Sequence, residues 1–206
     1  MASYSEKRKK IIVQTRKDVK KESERKDIQI IHAIRSLDTV DKTSNLLFEQ
    51  VKSWRNDKTD PAVVDDFENS VVSLKKQREK LGEHIKKLMK SECPNLNEIA
   101  GTLVGARLVA LAGSLKRLSE FPASTIQVLG AEKALFAHLS GTATSPKYGA
   151  IFAIPQVRNA PKEKRGKIAR KLASKISLAA KVDYFKGEFI GDRLIKEFND
   201  EINRLA

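Results

Sequence analysis

The chain has 206 residues and carries 40 Lys or Arg against 26 Asp or Glu, a formal net charge of +14, which favours a polyanionic partner. Its single cysteine excludes an internal disulfide and a multi-cysteine zinc site, and its three histidines lie far apart, so we predict no metal and no cofactor. Since no apolar run approaches the roughly 20 residues that span a bilayer and no signal peptide precedes the chain, we predict a soluble intracellular protein.

Residues 3 to about 55 are predicted to form one long helix, which begins with the capping-box pair Ser3 and Glu6. In its second half, apolar side chains recur at alternating steps of three and four residues, the period of a coiled-coil seam. In the first half of the helix, few of the corresponding positions are apolar and many residues are charged. We therefore expect this half to be exposed or docked on a missing partner. The seam positions are Ile30, Ala33, Leu37, Val40, Ser44, Leu47, Val51 and Trp54.

A second long helix is predicted after a polar turn, because Asp60 followed by Pro61 is typical of a helix cap and a first helical residue. This helix repeats the same apolar period, with Arg78 in one slot. Two such seams joined by a short turn predict an antiparallel coiled-coil hairpin. The seam positions of the second helix are Val64, Phe67, Val71, Leu74, Arg78, Leu81, Ile85 and Leu88.

The hairpin is predicted to end at 91–96, where Pro94 breaks the helix. We therefore divide the chain into a hairpin, residues 1–92, and an all-α domain, residues 93–206. A helix is predicted from Thr102 to Leu118, and its many Gly and Ala residues indicate close packing against neighbouring helices. Packing is favoured over a phosphate-binding loop because the sequence GxxxxGK[ST] is absent.

The segment 122–149 is predicted to form two short helices and a loop. Gly130 can end the first helix in the left-handed conformation, and Glu132 stands in the first turn of the second, where an acid is favoured. Leu135 and Phe136 are predicted to fill the core beneath these helices.

Two further helices are predicted, one from Pro161 to about Phe185 and one from Phe189 onward. The apolar stripe of the first is predicted to consist of Ile168, Leu172, Ile176, Ala179 and Ala180. A short apolar stretch at 150–154 fits either a helix or a strand. No convincing alternation of apolar and polar residues is found elsewhere, so the whole fold is predicted to be all-α.

The string GAEKALF, residues 130–136, closely resembles the signature of the Nop domain family, RNA-binding scaffold proteins of small ribonucleoproteins. The register I-x-A-I-x-x-L-D-x-x-D-K, residues 31–42, resembles the coiled-coil entry of the same family, and the likeness is strongest to archaeal scaffolds of box C/D particles, which guide ribose methylation. The resemblance covers about residues 26–55 and 94–206.

The resemblance implies a non-catalytic scaffold that recognises a kink-turn in a box C/D guide RNA together with its bound ribosomal-protein-like partner. It also implies self-association through the coiled coil. Family members dock the methyltransferase fibrillarin through a further N-terminal domain, of which this sequence shows no trace. The location expected by resemblance is the cytoplasm of an archaeal cell, or the nucleolus of a eukaryotic one.

Candidate RNA-binding residues come from the charge pattern and from the resemblance. Between positions 147 and 186, eleven Lys or Arg stand against two acids, which favours nucleic-acid contact over a merely solvated face. On the helix after Pro161, three lysines at steps of three and four share a face. The resemblance implies Gln127, Lys133, Lys147 and Tyr148 as contacts of the RNA and its partner, and the charge pattern adds Arg158, Lys164, Arg165, Lys167 and Lys171.

Two other functions stay open from the sequence. One is a coiled-coil protein-interaction adaptor whose basic surface only keeps it soluble. The other is the related spliceosomal use of the same domain. An enzyme is disfavoured, because the sequence has neither a nucleophile motif, nor a dinucleotide fingerprint, nor an obvious pair of carboxylates placed to form a cleft.

Overall fold

The computed structural model describes residues 4–23, 25–57 and 60–204. All regular elements within these ranges are helices, which confirms the predicted all-α fold. Two long helices form a hairpin, and shorter helices form a bundle at the end of the hairpin opposite its turn. None of the helices in these ranges is both long and apolar enough to cross a membrane.

The N-terminal region holds two helices, α1 (Tyr4–Ser23) and α2 (Lys26–Asn56), so the prediction of one helix over 3–55 is wrong. The chain turns at Arg25, whose backbone is extended. The buried carboxylate of Asp27 fixes this turn, because it accepts hydrogen bonds from Nη2 of Arg25 at 2.7 Å and from the backbone N–H of Leu115 at 3.1 Å. The break between α1 and α2 is therefore stabilised by Leu115, which is distant in the sequence. No Pro or Gly near Arg25 marks the break in the sequence.

Helix α1 is exposed, as its weak apolar seam predicts. Ile11, Val13 and Val19 all lie in contact with solvent. The predicted capping pair Ser3 and Glu6 lies outside the residues whose side chains the structure describes.

The second helix of the hairpin, α3, spans Pro61–Glu92. Its start is as predicted: Oδ1 of Asp60 accepts a hydrogen bond from the N–H of Ala62 at 3.0 Å, and Pro61 occupies the first helical position. An aspartate cap and a proline therefore set the direction of the returning helix.

Helices α2 and α3 run antiparallel, as contacts along their length show. Near the turn, the rings of Trp54 and Phe67 meet edge to face with centroids 4.9 Å apart. Midway, Nε of Arg78 donates to Oδ1 of Asp41 at 2.6 Å. Arg78, which interrupts the apolar seam, is thus accommodated by an acid on the opposite helix.

The seam is buried at both ends of the hairpin. Ile30 and Ile85 near the bundle are almost fully buried, and Val51 and Val64 near the turn are each only 4% exposed. Between these ends, Leu47 is half-buried. The burial of the seam therefore varies along the hairpin and does not fall steadily toward the turn.

The bundle packs around one long helix, α10 (Lys162–Tyr184), whose predicted apolar stripe of Ile168, Leu172, Ile176 and Ala180 is fully buried. The bundle elements are α4 (Pro94–Ala100), α5 (Thr102–Ala112), α6 (Leu115–Glu120), α7 (Ala123–Val128), α8 (Glu132–Leu139), a 3₁₀ turn (Ala150–Ala153), α9 (Pro155–Arg158), α10 and α11 (Gly191–Asn203). Helices α4, α6, α7 and α11 pack against α10.

The predicted single helix from Thr102 to Leu118 is wrong, because Gly113 adopts a left-handed conformation (φ 86°) and separates α5 from α6. The predicted close packing is observed: a Cβ added to Gly105 would lie 2.8 Å from Cε of Met89. Helix α5 therefore meets α3 through a position with no side chain.

The core is continuous between hairpin and bundle. Ile34 and Met89 of the hairpin belong to the same buried cluster as Leu108 and Leu172 of the bundle. Pro94 begins α4 directly after α3 ends. The division into independent units 1–92 and 93–206 stays a prediction.

A buried hydrogen-bond network joins the start of α4 to the end of α10. Oδ1 of Asp183 accepts from both the backbone N–H and the side-chain amide of Asn95, and Oδ2 accepts from the N–H of Leu96 at 2.8 Å. Oδ1 of Asn95 in turn accepts from the N–H of Ile190 at 2.6 Å. Burial raises the pKa of Asp183, against the opposing effect of these three N–H donors.

A second polar cluster lies at the same junction, at the end of α3. Glu92 accepts from Nζ of Lys26 at 2.8 Å and from Nζ of Lys186 at 3.1 Å. Partial burial acts to raise the pKa of Glu92, but the two lysines overcome this effect and lower it. One carboxylate therefore ties α2, α3 and the loop after α10 together.

Candidate nucleic-acid interface

A cleft of about 480 Å³ lies between the loop 145–147 and one face of α10. Three cationic side chains face it, Lys147 from the loop and Lys167 and Arg170 from α10. Such a concentration of positive charge suits phosphate oxygens. The other lining residues are Gln127, Ser145, Pro146, Glu163 and Gly166.

The loop is held in place at its base by α7 and the residue that follows it. Nε2 of Gln127 donates to the carbonyl oxygen of Lys147 at 2.7 Å, and the N–H of Gly149 donates to the carbonyl of Gln127 at 2.8 Å. A Cβ at Gly149 would collide with the carbonyl of Leu129. The amide of Gln127 therefore positions the loop, and only a glycine fits where the loop rejoins the bundle.

The side chain of Lys147 lies across α10 at Gly166. A Cβ built at Gly166 would lie 3.8 Å from Cδ of Lys147, at ordinary contact distance. A glycine inside a helix costs about 1 kcal/mol relative to alanine. An alanine at this position would fit against the lysine stem, so the contact with Lys147 does not require the glycine.

Tyr148 and Arg165 belong to an aromatic stack around Phe152. The rings of Tyr148 and Phe152 are stacked with centroids 4.8 Å apart, and the guanidinium carbon of Arg165 lies 5.7 Å from the centroid of Phe152. Nε of Arg165 also donates to the carbonyl of Ala160 at 2.8 Å. These contacts brace the loop against the start of α10.

Helix α8, which carries the GAEKALF string, is an exposed element. Phe136 and Leu139 are 68% and 72% exposed, and Leu135 is half-buried, so the prediction that Leu135 and Phe136 fill the core is wrong. The helix has no buried residue. A local hydrogen bond anchors its start, where Oε1 of Glu132 accepts from the N–H of Gly130 at 2.8 Å. Gly130 takes the left-handed conformation expected for it (φ 89°).

The lysines predicted to share a face of α10 have different surroundings. Lys167 faces the cleft, whereas Lys164 lines a separate groove of about 540 Å³ beside α9 and α11. Nζ of Lys171 lies 3.0 Å from Oε2 of Glu201 on α11. Lys133 on α8 and Arg158 at the end of α9 are exposed.

Two glutamates of α11 hold two lysines of α10. Lys175 contacts Glu197 at 2.7 Å and Glu201 at 3.1 Å, and its side chain is only 14% exposed. Hydrogen bonds from these lysines lower the pKa of Glu197 and Glu201. Burial opposes the charged form of Lys175, but the two carboxylates outweigh it and raise its pKa.

A family model described as "Nop: snoRNA binding domain, fibrillarin" matches residues 7–204 of this chain. The chain belongs to the Nop family. This assignment agrees with the resemblance of the GAEKALF string on α8.

Several relatives share this Nop region. The chain is 45% identical over 143 residues to an uncharacterised NOP5 family protein of Methanocaldococcus jannaschii, covering 69% of this chain and 34% of that protein. It is 38% identical over 143 residues to human nucleolar protein 56, covering 68% of this chain and 24% of the relative. The chain thus spans about a third or less of the curated relatives it matches.

A solved structure has a similar fold. A chain from the crystal structure of a fibrillarin/Nop5p complex aligns with a TM-score of 0.74 at 34% identity, covering 98% of this chain and 79% of that one. The alignment therefore takes in the hairpin as well as the bundle.

The structure of this Nop chain adds residues that the sequence pattern did not reveal. Arg170 faces the cleft, and its spacing of three residues from Lys167 could have indicated it. Phe152 and Lys175 gave no such signal, because their roles depend on contacts with distant parts of the chain. Of the predicted residues, the cleft brings together Gln127, Lys147 and Lys167.

Proposed function

We propose that this chain is a non-catalytic RNA-binding scaffold of box C/D-type ribonucleoproteins. In this role the bundle binds a kink-turn RNA together with the small ribosomal-protein-like protein already bound to it. The proposal rests on the basic cleft of Lys147, Lys167 and Arg170 in a chain of the Nop family.

The cleft fits a phosphate backbone better than base edges. Its cationic groups come from two separate elements, and aromatic residues make up only 6% of the chain, which disfavours extensive base stacking. Folded RNA hides its base edges in a deep, narrow groove, so recognition by shape and phosphate contact is expected. Of the remaining predicted contacts, Tyr148 and Arg165 brace the loop through Phe152, whereas Lys164 lines the separate groove beside α9 and α11. Lys133 and Arg158 are exposed and stay proposed RNA contacts outside the cleft.

Helix α8 supplies a surface for the RNA-bound protein. Its exposed Phe136 and Leu139 are apolar, whereas the cleft is charged. A composite ligand with an apolar protein surface next to an RNA backbone matches these two adjoining segments of the chain.

A gel-shift assay with kink-turn RNA, with and without its small binding protein, tests this function. We expect tight binding only to the protein–RNA complex, with a logarithm of affinity that falls linearly with the logarithm of salt concentration. Phe136→Asp should weaken binding to the complex and leave any residual binding to naked RNA unchanged. Affinity independent of salt would instead support the adaptor function.

We further propose that the hairpin mediates self-association. Half-exposed or more exposed apolar side chains lie on the part of the hairpin farther from the bundle, among them Leu46 and Phe48. Leu46→Glu with Phe48→Glu should convert an associated species to a monomer in sedimentation equilibrium. Lys52→Glu with Lys42→Glu, which alters exposed charged positions on the same helix, serves as the control.

Fibrillarin is the third proposed partner of the assembly. The family resemblance implies that fibrillarin docks on a domain other than the Nop region, and this chain spans about a third or less of the curated relatives it matches. We expect weak capture of fibrillarin and no methyl transfer by this chain alone. Tight capture in a pull-down would show that α1 or the hairpin carries the docking surface.

A further inference from the structure

Helices α10 and α11 face each other through charged side chains of opposite sign. Lys171 and Lys175 lie four residues apart on α10, and Glu197 and Glu201 lie four residues apart on α11, so each pair shares one helical face. Three contacts of 2.7 to 3.1 Å connect the two pairs. Both lysines are therefore close to a carboxylate.

Lys175 is largely shielded from solvent within its ion pairs. Its side chain is 14% exposed, and its ammonium group is shared between two carboxylates. A cation held in this way has little charge left to attract a phosphate and little room to meet one. Lys171 is more exposed but reaches the same Glu201.

The cleft side of α10 has a different balance of charge. Lys167 and Arg170 face the cleft with a single acid, Glu163, among its lining residues. One helix thus presents available cations toward the loop 145–147 and neutralised cations toward α11.

We propose that Glu197 and Glu201 limit the polyanion-binding surface of α10 to the cleft side by neutralising Lys171 and Lys175. The two glutamates are specificity-determining residues in this role, because they keep a phosphate backbone in register with the cleft rather than along the whole helix. The inference deepens the proposed RNA-binding function and rests on it for the identity of the polyanion.

The first test compares two double variants that gain the same positive charge. Glu197→Gln with Glu201→Gln releases both lysines, and Glu49→Gln with Glu79→Gln changes exposed hairpin residues. The probe is a kink-turn RNA bound by its small protein, with affinity measured across a range of KCl concentrations. We expect the α11 variant to steepen the log–log salt slope by about 0.7 to 0.9 for each additional phosphate bound, and the hairpin variant to match the wild type.

Equal slopes for the two double variants would overturn the proposal, since net charge alone would then explain the effect. If the α11 variant folds poorly in thermal melts, single substitutions decide instead. Lys171→Ala should lower the affinity less than Lys167→Ala in the wild-type chain. In a Glu201→Gln chain, Lys171→Ala should cause a larger loss, and equal losses in both chains contradict the neutralisation.

Retention on heparin separates this inference from the RNA-binding function. If the α11 variant elutes later than the hairpin variant, the neutralisation of Lys171 and Lys175 is supported. This holds even if the wild type fails to bind the kink-turn complex, because that failure would contradict only the proposed RNA-binding function. Identical elution of the two variants would remove the inference and leave the RNA-binding function standing.

Discussion

At the base of the hairpin, Ile34, Ile85 and Met89 are almost completely buried, whereas Phe136 and Leu139 on α8 are mostly exposed. Both regions carry large apolar side chains on helices. The base is enclosed because α2, α3 and α5 meet there and share one core with the bundle. Helix α8 lacks such a neighbour on its outer side within the described part of the chain, so its apolar residues remain available to a partner.

The polar contacts of the two regions differ in the same way. At the base, Asp183 bonds Asn95 and Leu96, which lie almost 90 residues away in the sequence. On α8, the contacts are local: Glu132 bonds Gly130, and Nδ1 of His138 lies 3.0 Å from the carbonyl of Ala143. Long-range contacts stabilise the whole fold, whereas local ones preserve only the shape of a segment. Substitutions at the base should therefore affect stability, and substitutions on α8 should affect binding.

The largest expected difference is between Leu37→Asp and Phe136→Asp. The first places an unpaired charge in the buried seam and should lower the free energy of unfolding by roughly 4 kcal/mol or more. The second should change it by no more than about 0.5 kcal/mol, as is usual at exposed positions. Urea denaturation measures both, with Leu37→Met as the conservative control. Similar losses from both aspartates would show that α8 is part of the core.

Asp183→Ala should have the next largest effect. It leaves the N–H groups of Asn95 and Leu96 buried without an acceptor, at a cost of about 1–3 kcal/mol for each unsatisfied group. Asp183→Asn retains one acceptor oxygen and should fall between the wild type and the alanine variant. Hydrogen exchange at those two amides reports the loss directly. Unchanged protection in Asp183→Ala would mean that the network contributes little.

The cleft should respond in binding and not in stability. Lys167→Ala with Arg170→Ala should reduce the log–log salt slope by about 0.7 to 0.9 for each phosphate that these side chains no longer bind, with unfolding unchanged. Lys76→Ala with Lys80→Ala removes the same charge from an exposed face of α3 and is the matched control. An equal reduction in the control would assign binding to overall charge instead of to the cleft.

Glu92 should contribute less to stability than Asp183, and its contribution should depend on pH. Because its pKa is lowered in the folded chain, its contribution to stability is present above the unfolded pKa and is lost as the pH falls through the folded value. Glu92→Gln should lose about 0.5–1 kcal/mol at neutral pH and show a weaker decline in melting temperature below pH 4.5 than the wild type. Glu83→Gln on the same helix is the control. If the melting temperatures of the wild type and of Glu92→Gln fall in parallel as the pH is lowered, Glu92 does not cause the decline.

The sequence predicted those features that depend on local chemistry or on a regular period. The cap at Asp60, the proline at the start of α3 and the buried stripe of α10 all follow from neighbouring residues. The break at Arg25 could not be predicted, because it depends on the backbone of Leu115 bonding to Asp27. The exposure of Phe136 could not be predicted either. The sequence of a short apolar helix does not show whether another element covers it.

The candidate site was predicted only in part for a related reason. Lysines at steps of three and four identified a helical face, but the sequence does not show what packs beside it. Glu201 reaches Lys171 only because α11 folds back against α10. Position along a helix thus predicts which side chains are neighbours, and tertiary structure decides which of their charges remain available.

The anchoring of the loop 145–149 has a consequence for how this family can diversify. The loop is fixed by the amide of Gln127 bonding a backbone carbonyl, by backbone N–H groups and by a glycine, so its path does not depend on the side chain at Lys147. That position can therefore change its residue over evolution while the loop keeps its course. A library of variants at 147 should retain the native melting temperature and differ in RNA affinity according to the charge of the side chain, with about the same loss for every RNA sequence.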